Sequence, residues 1–130
     1  MAPASNGIID LVSHHSVDET VQKLISILHE KGITMFALID HSGEAQKAGL
    51  TMPPTKLVIF GNPRGGTPLM LAAPTSAIDL PLKILIRQDS DGRVIVSYNS
   101  PQYLRDRHRF PDELLQNIVV IEKLAAAAAE

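Results

Sequence analysis

The glycine-rich segment at residues 61–68 is the part of the sequence whose composition most indicates a binding site. It has the sequence Gly-Asn-Pro-Arg-Gly-Gly-Thr-Pro and follows an apolar run, so a strand is expected to end there and a helix to follow. Thr67 is a favoured N-cap type and Pro68 a favoured first helical residue, which predicts a helix that begins at Pro68. Backbone N–H groups at a helix start attract anions, and an arginine adds a side-chain donor. The residues expected to hold a small polar or anionic ligand are Asn62, Arg64, Gly65, Gly66 and Thr67.

Two common phosphate-binding motifs are absent from this segment. It lacks the Gly-Lys-Ser/Thr ending of a P-loop and the Gly-x-Gly-x-x-Gly spacing of a dinucleotide-binding turn. The alternative to a binding site is a tight turn, in which the glycines only provide the positive φ angles that other residues adopt at a cost. The sequence leaves both interpretations open.

Asp40 and His41 form a second candidate site, because they follow an apolar run at residues 33–39 that is typical of a buried strand. A histidine held at the end of such a strand exchanges protons near neutral pH, as general acid-base chemistry requires. His108 also follows a predicted strand and could approach His41 in the fold. The alternative for His41 is a loop residue that only hydrogen-bonds to the backbone.

Tyr98 and Asn99 end another predicted strand, and Tyr103, Arg105 and Arg107 follow them. Their hydroxyl, amide and guanidinium groups would either line a ligand pocket or form the rim of a dimer interface, where tyrosine and arginine are enriched. Both alternatives stay open, and Tyr98 and Asn99 are therefore added to the candidate ligand-binding residues.

The sequence contains no standard motif for a metal site, a haem group or a catalytic nucleophile. The lack of cysteine excludes thiolate zinc sites, and the histidines show neither His-x-x-x-His nor His-Glu-x-x-His spacing. There is no Gly-x-Ser-x-Gly nucleophile elbow and no Cys-x-x-Cys-His haem motif. We therefore expect no metal and no cofactor.

Composition places the chain among globular proteins with one domain. Its 130 residues suffice for one hydrophobic core, and 45% apolar with 20% charged residues is typical of a folded chain. A formal net charge of -2 argues against nucleic acid or an anionic membrane as the partner. The sequence contains no signal-like segment and no apolar stretch of about 20 residues, so we expect a cytoplasmic protein.

Apolar periodicity predicts the order β-α-β-β-β-β-α with short helices in two loops. This is an α+β domain in which mainly antiparallel strands carry two long helices on one face. Ser16 and Glu19 form a capping box that starts the first helix, and Asp91-Gly92 suits the turn of a hairpin. The predicted strands are residues 8–13, 33–39, 55–60, 82–88 and 93–99, and the predicted long helices begin near residues 16 and 111.

The expected domain limits are a tail at residues 1–6, the folded domain at residues 7–124 and an alanine-rich tail at residues 125–130. The alanine run favours helix but has little to bury, so we expect it to fray. The strand at residues 55–60 is apolar on both faces and is expected inside the sheet. Its second apolar face needs a cover, and a homodimer is the simplest one.

Four spaced motifs resemble those of the domain-of-unknown-function family 302. They are Asp40-His41, residues 61–70, residues 78–83, and residues 97–108, which include the segment Ser-Tyr-Asn-Ser-Pro and the pair Arg-His. The resemblance covers residues 7–124 and implies a bacterial protein with a β-α-β(4)-α fold of the TBP-like type, which forms a homodimer. It implies no enzyme activity and supplies no functional residues, because none is established for the family.

Three functions follow as hypotheses. The leading one is a dimeric binding or accessory protein that holds a small polar or anionic ligand near residues 61–67, with His41 and Arg64 contributing. The second is an enzyme that uses His41 as general acid or base in the same pocket. The third is a structural or partner-binding dimer without a small-molecule site.

Overall fold

A computed structural model describes residues 6–130 of the chain, so all of the predicted N-terminal tail except Asn6 lies outside the described residues. The helices and strands follow the predicted α+β order, with short helices added between the strands. They are β1 (Ile8–Ser13), α1 (Val17–Glu30), β2 (Thr34–Asp40), α2 (His41–Lys47), β3 (Thr55–Gly61), α3 (Pro63–Ala72), β4 (Leu82–Gln88), β5 (Val94–Asn99), α4 (Pro101–His108) and α5 (Val120–Ala129). Two 3-10 helices cover Pro74–Ile78 and Asp112–Asn117.

The strands form one antiparallel sheet of order β1-β5-β4-β3-β2. β3 lies inside the sheet, as its two apolar faces predicted. The prediction of a buried β2 is wrong, because this strand is at an edge and leaves Met35, Phe36 and Leu38 between 39% and 51% exposed. A bulge between Met35 and Ala37 interrupts its pairing with β3. Bulges are common at sheet edges, where they discourage pairing with another chain.

The two long helices α1 and α5 pack on the same face of the sheet and against each other. On α1 the buried side chains repeat at helical spacing and include Val21, Leu24 and Leu28. The strands present alternate side chains to this layer, and Val58 and Ile84 are completely buried there. Each such aliphatic side chain contributes about 1.5–3 kcal/mol through its removal from water.

The last helix differs from the prediction in its start and in its alanine run. The apolar stripe from residue 111 is divided between the second 3-10 helix and α5, which begins only at Val120. Ala125 and Ala128 are completely buried, and the N–H of His14 donates to the carbonyl oxygen of Ala129 at 3.0 Å. The expectation that the alanine run has little to bury is therefore wrong, because its small side chains form the contact with the rest of the core.

The opposite face of the sheet carries a second set of apolar side chains. Alternation along the paired strands places Leu57, Ile59, Leu85 and Ile95 on this face. Leu57, Ile59 and Leu85 remain partly exposed to solvent. The sheet thus has an apolar outer face, as the sequence predicted, and we call these four residues the outer patch.

The capping box at the start of α1 is present with both of its hydrogen bonds. The N–H of Glu19 donates to Ser16 Oγ at 3.1 Å, and the N–H of Ser16 donates to Glu19 Oε1 at 3.0 Å. Two N–H groups that the helix itself cannot pair are thereby satisfied. The hydrogen bond from the backbone N–H of Ser16, followed by the contact with the Ser16 side chain, lowers the pKa of the Glu19 carboxyl below its usual range.

Replacing Ser16 by alanine is expected to lower the free energy of unfolding by about 1 kcal/mol, because the N–H of Glu19 loses its acceptor. Denaturant titration monitored by circular dichroism measures the change. Ser26→Ala is the matched control, since Ser26 lies on the exposed side of the same helix. Equal unfolding midpoints for Ser16→Ala and the unchanged protein would contradict the role of the cap.

Candidate functional site

A cavity of about 370 Å³ lies at the edge of the sheet where β3 ends and β4 begins. α3 leaves the sheet at the same edge, directly after Gly61 and Asn62, and forms one wall. Other walls come from β2, β3 and the segments that precede β4 and α5. The main apolar lining residues are Phe36, Phe60, Met70, Leu80, Ile118 and Val120. The glycine-rich segment therefore borders a cavity with a largely apolar interior.

Polar groups line only part of this cavity. Asn62, Thr67 and Asn117 contribute them, and none of the described lining residues carries a formal charge. Asn117 Nδ2 donates to the carbonyl oxygen of Gly65 at 3.1 Å, which ties the second 3-10 helix to α3. Arg64 is exposed and lies outside the lining, contrary to the expectation that it helps to hold a ligand.

The start of α3 explains why the predicted anion site is not formed. The helix begins at Pro63 rather than at Pro68, because Asn62-Pro63 supplies an N-cap and a first helical proline before Thr67-Pro68 does. Asn62 Oδ1 accepts from the N–H of Arg64 at 2.9 Å. Its carbonyl oxygen accepts from the N–H groups at residues 65 and 66, at 2.9 and 3.0 Å. The N–H groups that were expected to bind an anion are therefore already paired.

Two glycines in the first turns of α3 differ in what packing requires of them. A Cβ at Gly65 would lie 3.2 Å from the carbonyl oxygen of Asn117, so this backbone group would have to shift by a few tenths of an ångström. A Cβ at Gly66 would lie 3.8 Å from Leu80 Cδ1 and 3.9 Å from Met70 Cε, which is ordinary contact. Glycine inside a helix costs about 1 kcal/mol relative to alanine. At Gly66 no neighbouring atom accounts for that cost, and the missing side chain leaves space in the cavity.

His41 lies at the other end of the sheet from the cavity. β2 and β3 are antiparallel, with Asp40 opposite Lys56 and Thr34 opposite Gly61. Lys56 and Gly61 are five residues apart along β3, which corresponds to about 17 Å. The hypotheses that join His41 to the glycine-rich segment in one pocket are therefore wrong, because antiparallel neighbours end at opposite edges. His41 is the exposed first residue of α2.

Asp40 is the N-cap of α2 and has a structural role. Its Oδ1 accepts from Ser42 Oγ at 2.7 Å and from the N–H of Gly43 at 2.9 Å. Ser42 Oγ in turn accepts from the N–H of Thr55 at 3.1 Å, which links α2 to β3. The hydrogen bond from Ser42, followed by that from Gly43, holds the pKa of the Asp40 carboxyl below its usual range.

Tyr98 and Asn99 point to opposite faces at the end of β5, and neither lines the cavity beside α3. Tyr98 is 7% exposed and belongs to the core under the helices. Its burial raises the pKa of the phenol, and the charge of Glu122 adds to the rise. Asn99 is opposite Ile8 of β1, and its side chain is directed to the other face of the sheet. The expectation that both residues contact one ligand is not met by this arrangement.

A second polar cluster was not foreseen from the sequence. His108 Nε2 lies 2.5 Å from Asp79 Oδ2, and His108 Nδ1 lies 2.8 Å from Thr75 Oγ1. Arg107 Nη1 lies 3.3 Å from the same carboxylate oxygen of Asp79. These four residues come from α4 and from the first 3-10 helix and its cap, so only the folded chain brings them together. His108 therefore contacts Asp79 and not His41.

Comparison with known families identifies the fold and its relatives. Residues 9–130 match the family model described as Domain of unknown function DUF302. The chain belongs to the DUF302 family. A crystal structure described as an uncharacterized conserved DUF302 protein from Bacillus stearothermophilus covers 95% of both chains with a TM-score of 0.76. It is 19% identical to this chain and therefore supports the DUF302 fold alone.

Three curated relatives of this DUF302 chain are named fluoride-specific ion channels. Proteins of that name from Brucella suis and Brucella abortus are each 40% identical to the chain over 103 residues, or 79% of its length. A third, from Brucella melitensis, matches equally well. The chain spans only 41% and 38% of the two first-named relatives. Within residues 6–130, no helix has the length and apolar character that a bilayer crossing requires.

Replacing Ser42 by alanine is expected to raise the pKa of Asp40 towards its usual value, because the carboxylate loses its first hydrogen-bond donor. Since folding lowers this pKa, Asp40 stabilises the folded state above its unfolded pKa, and this contribution is lost as the pH falls through the folded pKa. Carbon NMR titration measures the pKa of the Asp40 carboxyl group in the unchanged protein and in Ser42→Ala. Ser90→Ala, in the exposed hairpin turn, is the control. An unchanged Asp40 titration in Ser42→Ala would contradict the assignment.

Proposed function

We propose that this protein binds a small molecule in the cavity beside α3. Gly66 is the observation that carries the proposal, because a glycine in the helix lowers stability and no packed neighbour requires it. A ligand in the cavity would explain the glycine, because it would use the space that a side chain at residue 66 would fill. The cavity of about 370 Å³ is at the lower end of the range for sites that bind small ligands.

The lining indicates the chemistry of the ligand. Aromatic and aliphatic side chains such as Phe36, Phe60 and Met70 favour an apolar body. Asn62, Thr67 and Asn117 lie in the same lining and supply hydrogen-bonding groups for a polar end. Because no described lining residue is charged, a ligand with one polar or singly anionic group fits better than a phosphate-rich one.

The partly exposed Phe36 offers a route into the cavity. This side chain is 51% exposed and lies on the bulged edge strand β2. Its Cε2 atom would be 3.5 Å from a Cβ placed on Gly61, so the ring covers the start of the glycine-rich segment. A rotation of this ring would open the cavity without moving the sheet.

Replacing Gly66 by alanine is expected to weaken binding of anilinonaphthalene sulfonate, an aromatic probe with one anionic group, by at least about tenfold. The added methyl group takes space in an apolar pocket, where one such group is worth about 1–3 kcal/mol. The same substitution should raise the free energy of unfolding by about 0.5–1 kcal/mol, because alanine favours helix. Fluorescence titration and denaturant unfolding measure the two effects.

Weaker probe binding together with a higher free energy of unfolding would show that Gly66→Ala fills the cavity and does not damage the fold. Leu71→Ala is the matched control, since Leu71 lies on the same helix, is 79% exposed and does not line the cavity. It should leave probe binding unchanged. Saturable binding of equal affinity by Gly66→Ala and the unchanged protein would contradict the proposal, as would the absence of saturable binding.

We also propose that the protein is a homodimer through the outer patch. Leu57, Ile59 and Leu85 are partly exposed on the face that α1 and α5 do not cover, and contiguous apolar surface of this kind marks interfaces. Ion-pairing groups lie beside it. Lys83 and Arg87 come from β4, and Asp10 from the edge strand β1 on the same face. Two copies related by a two-fold axis could therefore pair charges around an apolar centre.

The dimer is expected to have twice the mass of the chain in light scattering at micromolar concentration and to bury about 800 Å² per subunit. Leu85→Glu should make it monomeric, because a carboxylate would be placed in the centre of the interface without a partner. Leu50→Glu is the control, since Leu50 is 66% exposed and outside the patch. A monomeric mass for the unchanged protein would overturn this proposal.

An accessory role is the second candidate function, and its support comes from the named relatives. They are called fluoride-specific ion channels, and the region similar to this chain makes up about two fifths of their length. We propose that the chain then acts in the cytoplasm beside a transport protein. The Gly66→Ala variant distinguishes the two functions. An accessory protein that acts only through its surface would keep its cellular effect when the cavity is partly filled.

A further inference from the structure

The cluster of Thr75, His108 and Asp79 has the arrangement of a base-activated hydroxyl group. The two ring nitrogens of His108 contact different partners, Nε2 at 2.5 Å from Asp79 and Nδ1 at 2.8 Å from Thr75. The His108 side chain is 3% exposed and that of Asp79 is 16% exposed, whereas Thr75 is on the surface. A partly buried carboxylate, a buried imidazole ring and an accessible hydroxyl group are therefore connected in series.

The hydrogen bonds determine which nitrogen of the neutral imidazole carries the proton. An ionised carboxylate only accepts, so Asp79 requires the N–H to be on Nε2. The lone pair on Nδ1 then faces Thr75 Oγ1 and accepts a hydrogen bond from its hydroxyl group. A third group that holds the base in one tautomer is what a nucleophile and base pair needs for catalysis.

The cluster borders a cleft that is separate from the cavity beside α3. Thr75, His108, Arg107, Pro74 and Ile78 line it, and none of these residues lines the other cavity. Arg107 contacts Asp79 through Nη1, which leaves the rest of its guanidinium group for a second partner. Pro74 and the 72% exposed Ile78 add apolar surface. The cleft therefore combines a hydroxyl group, a base, a cation and an apolar wall.

We propose that Thr75 is an acyl-accepting nucleophile and that its substrates are esters or thioesters with an apolar acyl group and an anionic group. His108 Nδ1 takes the proton from Thr75 Oγ1 while Oγ1 forms a bond to the carbonyl carbon. The bond from that carbon to the leaving oxygen or sulfur breaks, and the leaving group takes the proton from Nδ1. Arg107 stabilises the negative charge that develops on the carbonyl oxygen.

Water completes the reaction. It gives one proton to His108 Nδ1 as its oxygen bonds to the acyl carbon, the bond from that carbon to Thr75 Oγ1 breaks, and Oγ1 regains the proton. The products are the free carboxylic acid and unmodified Thr75. Asp79 acts as a positioning residue throughout, because its carboxylate contacts the imidazole and Arg107 rather than the reacting atoms.

Incubation of the full chain with p-nitrophenyl acetate tests the proposal. We expect a burst of p-nitrophenol and an acetyl group on Thr75, located by tandem mass spectrometry. Thr75→Val, which keeps the shape of the side chain, should abolish this adduct, and Thr75→Ser should retain it. His108→Gln should lower the acylation rate by at least about 100-fold. Asp79→Asn should lower it as well and remove the downfield proton NMR signal of the His108 Nε2–H group.

Ser90→Ala is the control, because Ser90 is an exposed hydroxyl residue in the hairpin turn with no histidine hydrogen bond among the described residues. Its acylation of Thr75 should match that of the unchanged protein. The absence of an adduct on Thr75 would overturn the proposal and leave the cluster as a clamp between α4 and the 3-10 helix. Equal acylation rates for His108→Gln and the unchanged protein would also overturn it, provided that both show the same thermal unfolding.

Discussion

The antiparallel pairing of all the strands is the constraint on which the rest of this structure depends. It sends successive strand ends to alternate edges of the sheet, so the end of β3 meets the starts of β2 and β4. The cavity forms between these ends because α3 and the segment before α5 close over them. The same pairing places His41 about 17 Å away along the sheet, at the opposite edge. The antiparallel pairing thus forms the cavity beside α3 and separates His41 from the glycine-rich segment, which the sequence analysis had placed in one site.

The start of α3 shows how a local signal decides the chemistry of that edge. Asn62-Pro63 and Thr67-Pro68 both have the residue types of a helix start, and the sequence does not rank them. In the fold Asn62 caps the helix and pairs the N–H groups of the first turn. As a result the edge presents an apolar cavity with amide and hydroxyl groups, and not a row of free donors for an anion. The position of this one N-cap therefore changes the expected ligand from an anion to a molecule with an apolar body and one polar end.

Features that depend on residues close together in the chain were predictable from the sequence. The capping box at Ser16 and the hairpin at Asp91-Gly92 are both present. The cluster of Thr75, Asp79 and His108 was not predictable, because His108 is 33 and 29 residues away from the other two and no spacing rule relates it to them. The prediction that β2 is buried was wrong for a related reason. Its apolar run is typical of a buried strand, but whether a strand has one neighbour or two is decided by the whole topology.

The pairing of β1 has a consequence for how the chain folds. β1 begins at Ile8 and pairs only with β5, where Ile8 is opposite Asn99, whereas β2, β3, β4 and β5 each pair with a strand that is near in the chain. Contacts between distant positions close large loops and slow the folding of a domain. A ribosome that synthesises the chain from its N-terminus therefore releases β1 and α1 long before their partners exist. We therefore expect the consecutive strands to associate first and β1 to dock last.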